Sequence, residues 1–259
     1  MLLATDIGNT EITVGLFQGE RLVVVWRLTT AAPRTPDEWA ATLTTHLVNA
    51  GLSTHEVRAA VQASVAPAVT EAFASGVQQA TGVRPVMVDA GSRLPIVLDV
   101  DEPLTVGADR VVNTLAACEL YRRDTVVVDY GTATTFDCVT ADRRFIGGVI
   151  APGVQTAAEN LTRRAAKLPA TELLPPKQVI GRRTEDCIRS GVLFGAVDAT
   201  DGIVRRIKAE WPGGATPLVV GTGGLVSLTA PLSREIEQVE PHLTLLGLRF
   251  AARHLGVSW

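Results

Sequence analysis

The sequence predicts an α/β protein built from two related domains, each a mixed β-sheet with flanking helices. Two observations carry this prediction. The order of strand-like and helix-like segments in the first half recurs in the second half. An apolar strand also runs twice into an acidic glycine turn, as DIGNT at 6–10 and DYGTATT at 129–135. A duplicated domain explains both observations, and we expect domains at 1–115 and 116–259 with a nucleotide cleft between them.

The first half reads as a three-stranded hairpin unit followed by alternating helices and strands. Strands are predicted at 2–6, 11–17, 21–28, 58–63 and 84–88, where residues are apolar or alternate and β-branched types are frequent. Helices are predicted at 36–50 and 68–80. The first of these begins with Thr35 as N-cap, Pro36 in the first turn and Glu38 three residues after the cap, which is a capping-box pattern.

The second half repeats this order. Strands are predicted at 125–129, 134–140, 144–150 and 217–220, and helices at 110–122, 154–167, 184–210 and 243–255. The last of these helices is the element most able to pack back on the first domain.

Composition excludes several classes of protein. The chain has 259 residues, is 46% apolar and 20% charged, and carries a net charge of -3, which is typical of a folded globular protein. No basic stripe or aromatic cluster suits nucleic acid, and no apolar run is long enough to cross a bilayer. Three widely spaced cysteines, Cys118, Cys138 and Cys187, fit reduced core residues and a cytoplasmic location.

The two acidic turns suit a metal–nucleotide complex. Gly8 and Gly131 allow close backbone approach, and the neighbouring threonines supply hydroxyl donors for phosphate. Asp6 and Asp129 alone would repel a polyphosphate, but a cation such as Mg²⁺, held by carboxylate and phosphate oxygens, removes this repulsion. Hairpin turns also use these residue types without any ligand. The recurrence in both halves favours the nucleotide interpretation.

A third glycine loop, PLVVGTGG at 217–224, follows a strand of the second half. Gly221, Gly223 and Gly224 would let a purine and ribose approach the backbone, although a strand followed by a glycine turn is common. The chain has neither a Walker A sequence nor the Rossmann glycine fingerprint.

The segment TVGADRVVN at 105–113 is a candidate acceptor site. Asp109 is able to serve as a base toward a substrate hydroxyl in phosphoryl transfer, and Arg110 can hold an acidic group. Asp109 is equally able to cap the following helix. Thr184, followed by Glu185 and Asp186, is by itself more typical of an N-cap than of a ligand-binding residue. The four scattered histidines do not suggest a metal site.

The motifs DIGNT, GADR, DYGTATTFD, GGVIAPG and TGG occur in one order along almost the whole chain. With these five motifs the sequence closely resembles a type III pantothenate kinase. That family has the actin-like, ribonuclease H-like fold shared by sugar kinases and heat-shock chaperone ATPases. The resemblance implies transfer of the ATP γ-phosphate to pantothenate, the first step of coenzyme A biosynthesis, by a homodimer that requires Mg²⁺ and K⁺ or NH₄⁺.

The resemblance also implies roles for individual residues. Asp109 would be the proton acceptor, Asp6 would help to place Mg²⁺, and Asp129 would bind the monovalent cation. ATP would contact Asp6, Ile7, Gly8, Asn9, Thr10, Glu11, Ile12, Thr13, Thr132, Gly223 and Gly224. Pantothenate would contact Gly107, Ala108, Asp109, Arg110 and Thr184, with Thr184 supplied by the partner subunit, so this role replaces the capping interpretation of Thr184.

Two positions depart from the family pattern. Glu11 stands where asparagine is common, and an inward carboxylate there would weaken ATP binding. Arg183 replaces a more usual asparagine before Thr184. Two alternative functions remain: a non-catalytic nucleotide-binding regulator, and another small-molecule kinase of the same superfamily. The presence of Asp109 argues against the regulator, because a binding module has no use for a base.

Overall fold

A computed structural model describes residues 1–259. The chain forms two compact units. The first comprises Met1–Leu120 together with Leu243–Trp259, and the second comprises Tyr121–His242. The C-terminal segment therefore completes the first unit.

The first unit contains a five-stranded mixed sheet. Its strands are β1 (Leu2–Ile7), β2 (Glu11–Gln18), β3 (Arg21–Thr29), β4 (Ala59–Ser64) and β5 (Val86–Met87), in the order β3-β2-β1-β4-β5. The first three strands form an antiparallel meander, whereas β1 pairs with β4 in parallel, and β4 with β5. The carboxyl ends of β1, β4 and β5 therefore lie at one edge of the sheet.

Helices cover both faces of this sheet. They are α1 (Pro36–Asn49), α2 (Pro67–Thr81), α3 (Ala108–Leu120) and, at the end of the chain, α7 (Leu243–His254); a two-residue strand, β6 (Val97–Leu98), precedes α3. Side chains of β1 point alternately to the two faces of the sheet, and they therefore belong to two different hydrophobic clusters. Leu2 and Ala4 belong to the cluster that contains residues of α3 and α7, and Leu3 and Ile7 to the cluster with α1 and α2. By the same alternation Asp6 shares the face of Leu2 and Ala4, which is the face covered by α3.

The start of α1 shows the predicted capping box. The Thr35 hydroxyl accepts a hydrogen bond from the Glu38 amide at 3.3 Å, and the Glu38 carboxylate accepts one from the Thr35 amide at 2.7 Å. These bonds satisfy two of the amide groups that lack partners at a helix N-terminus.

The second unit repeats the strand order of the first. Its strands are β7 (Thr125–Tyr130), β8 (Ala133–Val139), β9 (Arg144–Pro152), β10 (Leu218–Thr222) and β11 (Gln238–Val239), arranged as β11-β10-β7-β8-β9. Here too an antiparallel meander is followed by parallel pairs. The helices are α4 (Val154–Arg164), α5 (Thr184–Glu210) and α6 (Val226–Thr229). The predicted duplication of a mixed α/β domain is confirmed.

Several details differ from the sequence prediction. Strand β5 has two residues where five were expected, because only Val86 and Met87 pair with β4. The short elements β6, β11 and α6 were not predicted, since two to four residues are too few to show a periodicity. Cys118 and Cys138 are buried as expected, but Cys187 is exposed, on the first turns of α5. None of the helices combines the length and apolar character needed to cross a membrane.

Candidate active site

The first acidic turn joins β1 to β2 and is held from both sides. The Gly8 amide donates to the Glu11 carbonyl at 2.9 Å, which closes the turn. Thr30, just after β3, donates its hydroxyl to the Asn9 carbonyl at 2.8 Å and its amide to the Thr10 carbonyl at 3.1 Å. The turn is thus fixed by its own backbone and by the end of β3, while the Asn9 and Thr10 side chains are exposed.

The predicted acceptor loop lies next to this turn within the same unit. The carbonyl of Ile7 accepts a hydrogen bond from the Val65 amide at 3.0 Å, just past the end of β4. A side-chain carbon of Val65 lies 3.5 Å from the Cβ position of Gly107. Val65 therefore connects the end of β1 to the residues that precede α3, and the structure brings together two motifs that are about 100 residues apart in sequence.

Asp109 lies in the first turn of α3. One of its carboxylate oxygens accepts a hydrogen bond from the Arg110 amide at 2.8 Å, and the same oxygen lies 2.6 Å from the Cβ position of Gly107. Burial raises the pKa of Asp109, and the Arg110 hydrogen bond and charge oppose this only in part. Asp109 is inside the helix and the Val111 amide bonds to the Gly107 carbonyl. The N-cap position is thus Gly107 and not Asp109, although the Asp109 carboxylate does accept a hydrogen bond from an amide of the first helical turn.

Other residues predicted in this region have different exposures. Ile7 and Ile12 are fully buried in the core and Ala108 is nearly so, which leaves only their backbone groups for a ligand. Thr13 is the β2 partner of Asp6 in the strand register. For the strand residues, this pattern of buried and accessible positions follows from alternation along the strand.

The second acidic turn joins β7 to β8. The Gly131 amide donates to the Ala133 carbonyl at 3.0 Å, and the carbonyl of Thr132 accepts hydrogen bonds from the Gly153 amide at 3.1 Å and the Thr156 hydroxyl at 2.7 Å. The beginning of α4 therefore anchors this turn. Gly131 and Thr132 are exposed, as Asn9 and Thr10 are in the first unit.

The glycine loop after β10 packs on the second acidic turn. Thr222, the last residue of β10, is the parallel partner of Asp129. A Cβ atom on Gly223 would overlap a carboxylate oxygen of Asp129, and Gly223 has a φ of 93°. Gly224 is exposed. The two motifs predicted for the second half therefore meet at the carboxyl ends of β7 and β10.

Thr184 is the first residue of α5, and its exposed side chain lines a cavity of about 570 Å³ in the second unit. Pro152, Leu161, Cys187 and Ile188 are among the other residues that line this cavity. The N-cap position belongs to Arg183, and no side-chain hydrogen bond caps the helix. The interpretation of Thr184 as an N-cap is therefore wrong, and its cavity position agrees with the role implied by the resemblance.

Three threonines of the site were not predicted. Thr30 and Thr156 form hydrogen bonds that hold the two acidic turns. Thr222 lies beside Asp129 in the sheet register, and its fully buried hydroxyl has no hydrogen-bond partner in the structure. A threonine at the end of a strand is too common to signal such a role. Only the tertiary contacts identify these residues.

Glu11 and Arg183, the two departures from the family pattern, both have ion-pair partners. Glu11 pairs with Arg27 on the neighbouring strand β3 at 3.5 Å, with both side chains about half exposed. Arg183 pairs with Glu185 at 3.6 Å. The Glu11 carboxylate thus has a cationic neighbour at the base of the first turn, which offsets the repulsion expected from an additional negative charge near a phosphate.

No group of three or more His, Cys, Asp or Glu side chains is arranged to hold a metal ion by itself. A divalent cation bound with a nucleotide does not need such a group, because phosphate oxygens and water complete its coordination around one or two carboxylates. Asp6, at the end of β1 beside a turn with exposed backbone, is compatible with that mode of binding.

Comparisons with known proteins agree with this arrangement. Residues 2–206 match the family model described as type III pantothenate kinase. The type III pantothenate kinase 1 of Symbiobacterium thermophilum is 44% identical over 254 residues, which cover 96% of this chain and 95% of that protein. The chain belongs to the type III pantothenate kinase family.

Solved structures of more distant proteins share the fold of this kinase family. A conserved Baf family transcriptional activator from Campylobacter jejuni has a TM-score of 0.58 at 17% identity, with 97% of this chain and 98% of that chain covered. A ROK family glucokinase from Streptomyces griseus, solved with glucose and AMPPNP, has a TM-score of 0.51 at 13% identity, with 98% and 99% covered. These likenesses establish the actin-like α/β fold of the sugar kinases.

Proposed function

We propose that this protein is a pantothenate kinase that transfers the γ-phosphate of ATP to the primary hydroxyl of pantothenate, the first step of coenzyme A biosynthesis. Membership of the type III pantothenate kinase family supports the reaction, the substrate and the use of ATP. The observation that carries the mechanism is the partly buried carboxylate of Asp109, which lies in the first turn of α3 and is joined through Val65 to the first acidic turn.

The proposed chemistry needs one base and several groups that neutralise charge. As the pantothenate oxygen forms its bond to the γ-phosphorus, its proton passes to Asp109, the bond to the β-γ bridging oxygen breaks, and ADP leaves. Burial raises the pKa of Asp109, which makes its carboxylate a better proton acceptor than an exposed aspartate. Gly107, Ala108 and Arg110 would hold pantothenate around this base, Arg110 through the pantothenate carboxylate.

The nucleotide would use motifs of both units. In the first unit residues 6–13 would bind the phosphates, with Asp6 placing Mg²⁺. In the second unit Thr132 and the glycines 223–224 would contact ATP, and Asp129 would hold K⁺ or NH₄⁺. The backbone amides and hydroxyls of these turns have the donor chemistry that phosphate oxygens require.

We further propose a cytoplasmic homodimer in which Thr184 contacts the pantothenate bound by the partner subunit. The exposed position of Thr184 at a cavity of about 570 Å³ supports a ligand-binding role. The test is sedimentation analysis together with complementation: mixing inactive Asp109→Asn and Thr184→Ala chains should restore part of the activity if each site uses both chains. The absence of any restored activity in confirmed mixed dimers would contradict shared sites.

A coupled assay for ADP release tests the substrate and cofactors. With ATP, Mg²⁺ and K⁺ we expect turnover of pantothenate and none of hexoses, glycerol or acetate, and we expect activity to fall when K⁺ is replaced by Na⁺. Turnover of a sugar but not of pantothenate would favour another small-molecule kinase of the superfamily. Nucleotide binding with no turnover of any acceptor would favour the regulatory alternative.

A further inference from the structure

The first unit contains a second cavity, of about 370 Å³, that none of the residues assigned to ATP or pantothenate lines. It lies between the β2–β3 turn, the last turns of α7 and the C-terminal residues. Its walls include Glu20, Arg249, Phe250, Arg253, Val257 and Trp259. A cavity of this volume is within the range of sites for small organic ligands.

Arg249 is the most buried charged group of this cavity, and its donors are poorly satisfied. Its side chain is 11% exposed, and its Nε is buried with no hydrogen-bond partner. One terminal nitrogen lies 3.4 Å from the Glu20 carbonyl and 3.6 Å from the Glu20 carboxylate, whose side chain is 85% exposed. The buried Nε is itself out of reach of a ligand, so an oxyanion in the cavity would pair with the terminal nitrogens, one of which has its protein acceptors at 3.4 and 3.6 Å.

A second guanidinium lines the same cavity. This second group belongs to Arg253, one turn further along α7, which lies 3.6 Å from the Glu119 carboxylate. The same carboxylate lies 3.0 Å from the His254 ring. Burial lowers the pKa of Arg249, the Glu20 carboxylate opposes this, and the positive charge of Arg253 lowers the pKa further. Each arginine has one carboxylate at 3.6 Å. The two guanidinium groups still repel each other, and an oxyanion in the cavity would reduce that repulsion.

Aromatic side chains form part of the remaining wall. The guanidinium of Arg249 lies 4.6 Å from the ring centre of Phe250, whose side chain is buried. Trp259 donates its indole N–H to the Gly19 carbonyl at 3.3 Å, which holds the C-terminal residues against the β2–β3 turn. Aromatic faces beside arginine favour planar ligand groups.

We propose that this cavity is a binding site for a small organic oxyanion with a planar apolar body, whose carboxylate or phosphate pairs with Arg249 and Arg253. Arginine binds both oxyanions through paired N–H donors. The planar body would lie along Phe250 and Trp259. This site is separate from the proposed kinase function and does not depend on it.

The test uses the indole N–H of Trp259 as a local reporter in ¹H–¹⁵N spectra, assigned with Trp259→Phe. Phenyl phosphate and benzoate represent the two oxyanions, and benzyl alcohol is the neutral control. We expect saturable shifts of the Trp259 signal with at least one anion and none with benzyl alcohol. Arg249→Gln and Arg253→Gln should each weaken binding about tenfold, the loss of one charge-assisted contact. The matched control Arg205→Gln, on α5 of the second unit, should not change it.

Three results would overturn the proposal. They are the absence of any Trp259 shift with both anions, equal shifts with benzyl alcohol, and unchanged affinity in Arg253→Gln. Arg253 is 57% exposed, so its replacement leaves the fold intact and decides the question even if Arg249→Gln does not fold. Phenyl phosphate shifts confined to the acidic turns, without Trp259, count as the first of these results.

Discussion

Gly223 packs so closely on Asp129 that a Cβ atom at position 223 would overlap an oxygen of the Asp129 carboxylate. The same Cβ would lie 2.6 Å from the Tyr130 amide nitrogen, and the φ of Gly223 is 93°. The glycine loop after β10 thus determines where the carboxylate of the second acidic turn can lie. Two motifs that the sequence shows as separate act as one structural unit.

Replacing Gly223 with alanine should displace Asp129. We expect Gly223→Ala to lose about 1–3 kcal/mol of stability through backbone strain and overlap, and to raise the K⁺ concentration needed for half-maximal kinase activity. Gly214→Ala is the matched control, because Gly214 also has a positive φ, of 70°, but no atom within 4 Å of its Cβ position. Urea unfolding and K⁺ titration of both variants measure the difference. Equal cation dependence would show that Gly223 does not position Asp129.

Gly247 of α7 has a comparable contact with α3. A Cβ at position 247 would overlap the carbonyl of Val112, one turn after Asp109 in α3. We expect Gly247→Ala to shift α3, to destabilise the first unit by about 1–3 kcal/mol, and to lower kcat. Gly202→Ala within α5, where the Cβ position is open, should be neutral or slightly stabilising because alanine favours helix. Thermal unfolding and steady-state kinetics of the two variants check this, and unchanged kcat for Gly247→Ala would contradict it.

Asp109→Asn should remove the proposed base without unfolding the protein. We expect kcat to fall by about 10²- to 10⁴-fold, with little change in ATP affinity measured by calorimetry. Burial raises the pKa of Asp109, so its ionised form is less stable in the folded than in the unfolded chain. The asparagine variant should therefore unfold at no lower temperature than the parent at neutral pH. Equal activity of the variant would remove Asp109 from the mechanism.

The raised pKa of Asp109 also predicts how kcat depends on pH. A base must be deprotonated to act, so kcat should decline as the pH falls through the raised pKa of Asp109, above the range of an exposed aspartate. The stability contributed by protonated Asp109 is present at acidic pH and is lost as the pH rises through that pKa. Measurements of kcat at saturating ATP and pantothenate across acidic to neutral pH test this. If kcat instead begins to decline only at the lower pH at which an exposed aspartate is protonated, the prediction is contradicted.

The Glu11–Arg27 pair should influence ATP affinity more than stability. Both side chains are about half exposed, and such pairs contribute less than about 1 kcal/mol. Arg27→Met leaves Glu11 without its partner beside the first turn, and we expect the KM for ATP to rise about threefold to fivefold with kcat unchanged. Glu11→Gln in the Arg27→Met background should reverse this rise. Failure of the double variant to do so would show that Glu11 does not repel the nucleotide.

Local patterns in the sequence were sufficient to predict most of the elements and the duplicated order of the two domains. Short runs of apolar and β-branched residues define β1, β2 and β7. A capping box defines the start of α1, and a 27-residue helical segment defines the extent of α5. These signals depend on neighbours along the chain, which a sequence displays directly. The acidic turns, their glycines and the GADR segment were recognised in the same way.

Only the tertiary structure decided which of these residues come together and which are buried. That the Asp109 carboxylate is partly desolvated in the first turn of α3, that Thr184 lines a cavity, and that Gly223 packs on Asp129 all depend on contacts between segments far apart in sequence. Thr30, Thr156 and the Arg249 cavity also carry no local signal. The physical reason is that desolvation, steric overlap and ion pairing depend on distances in space, which chain packing sets and sequence spacing does not.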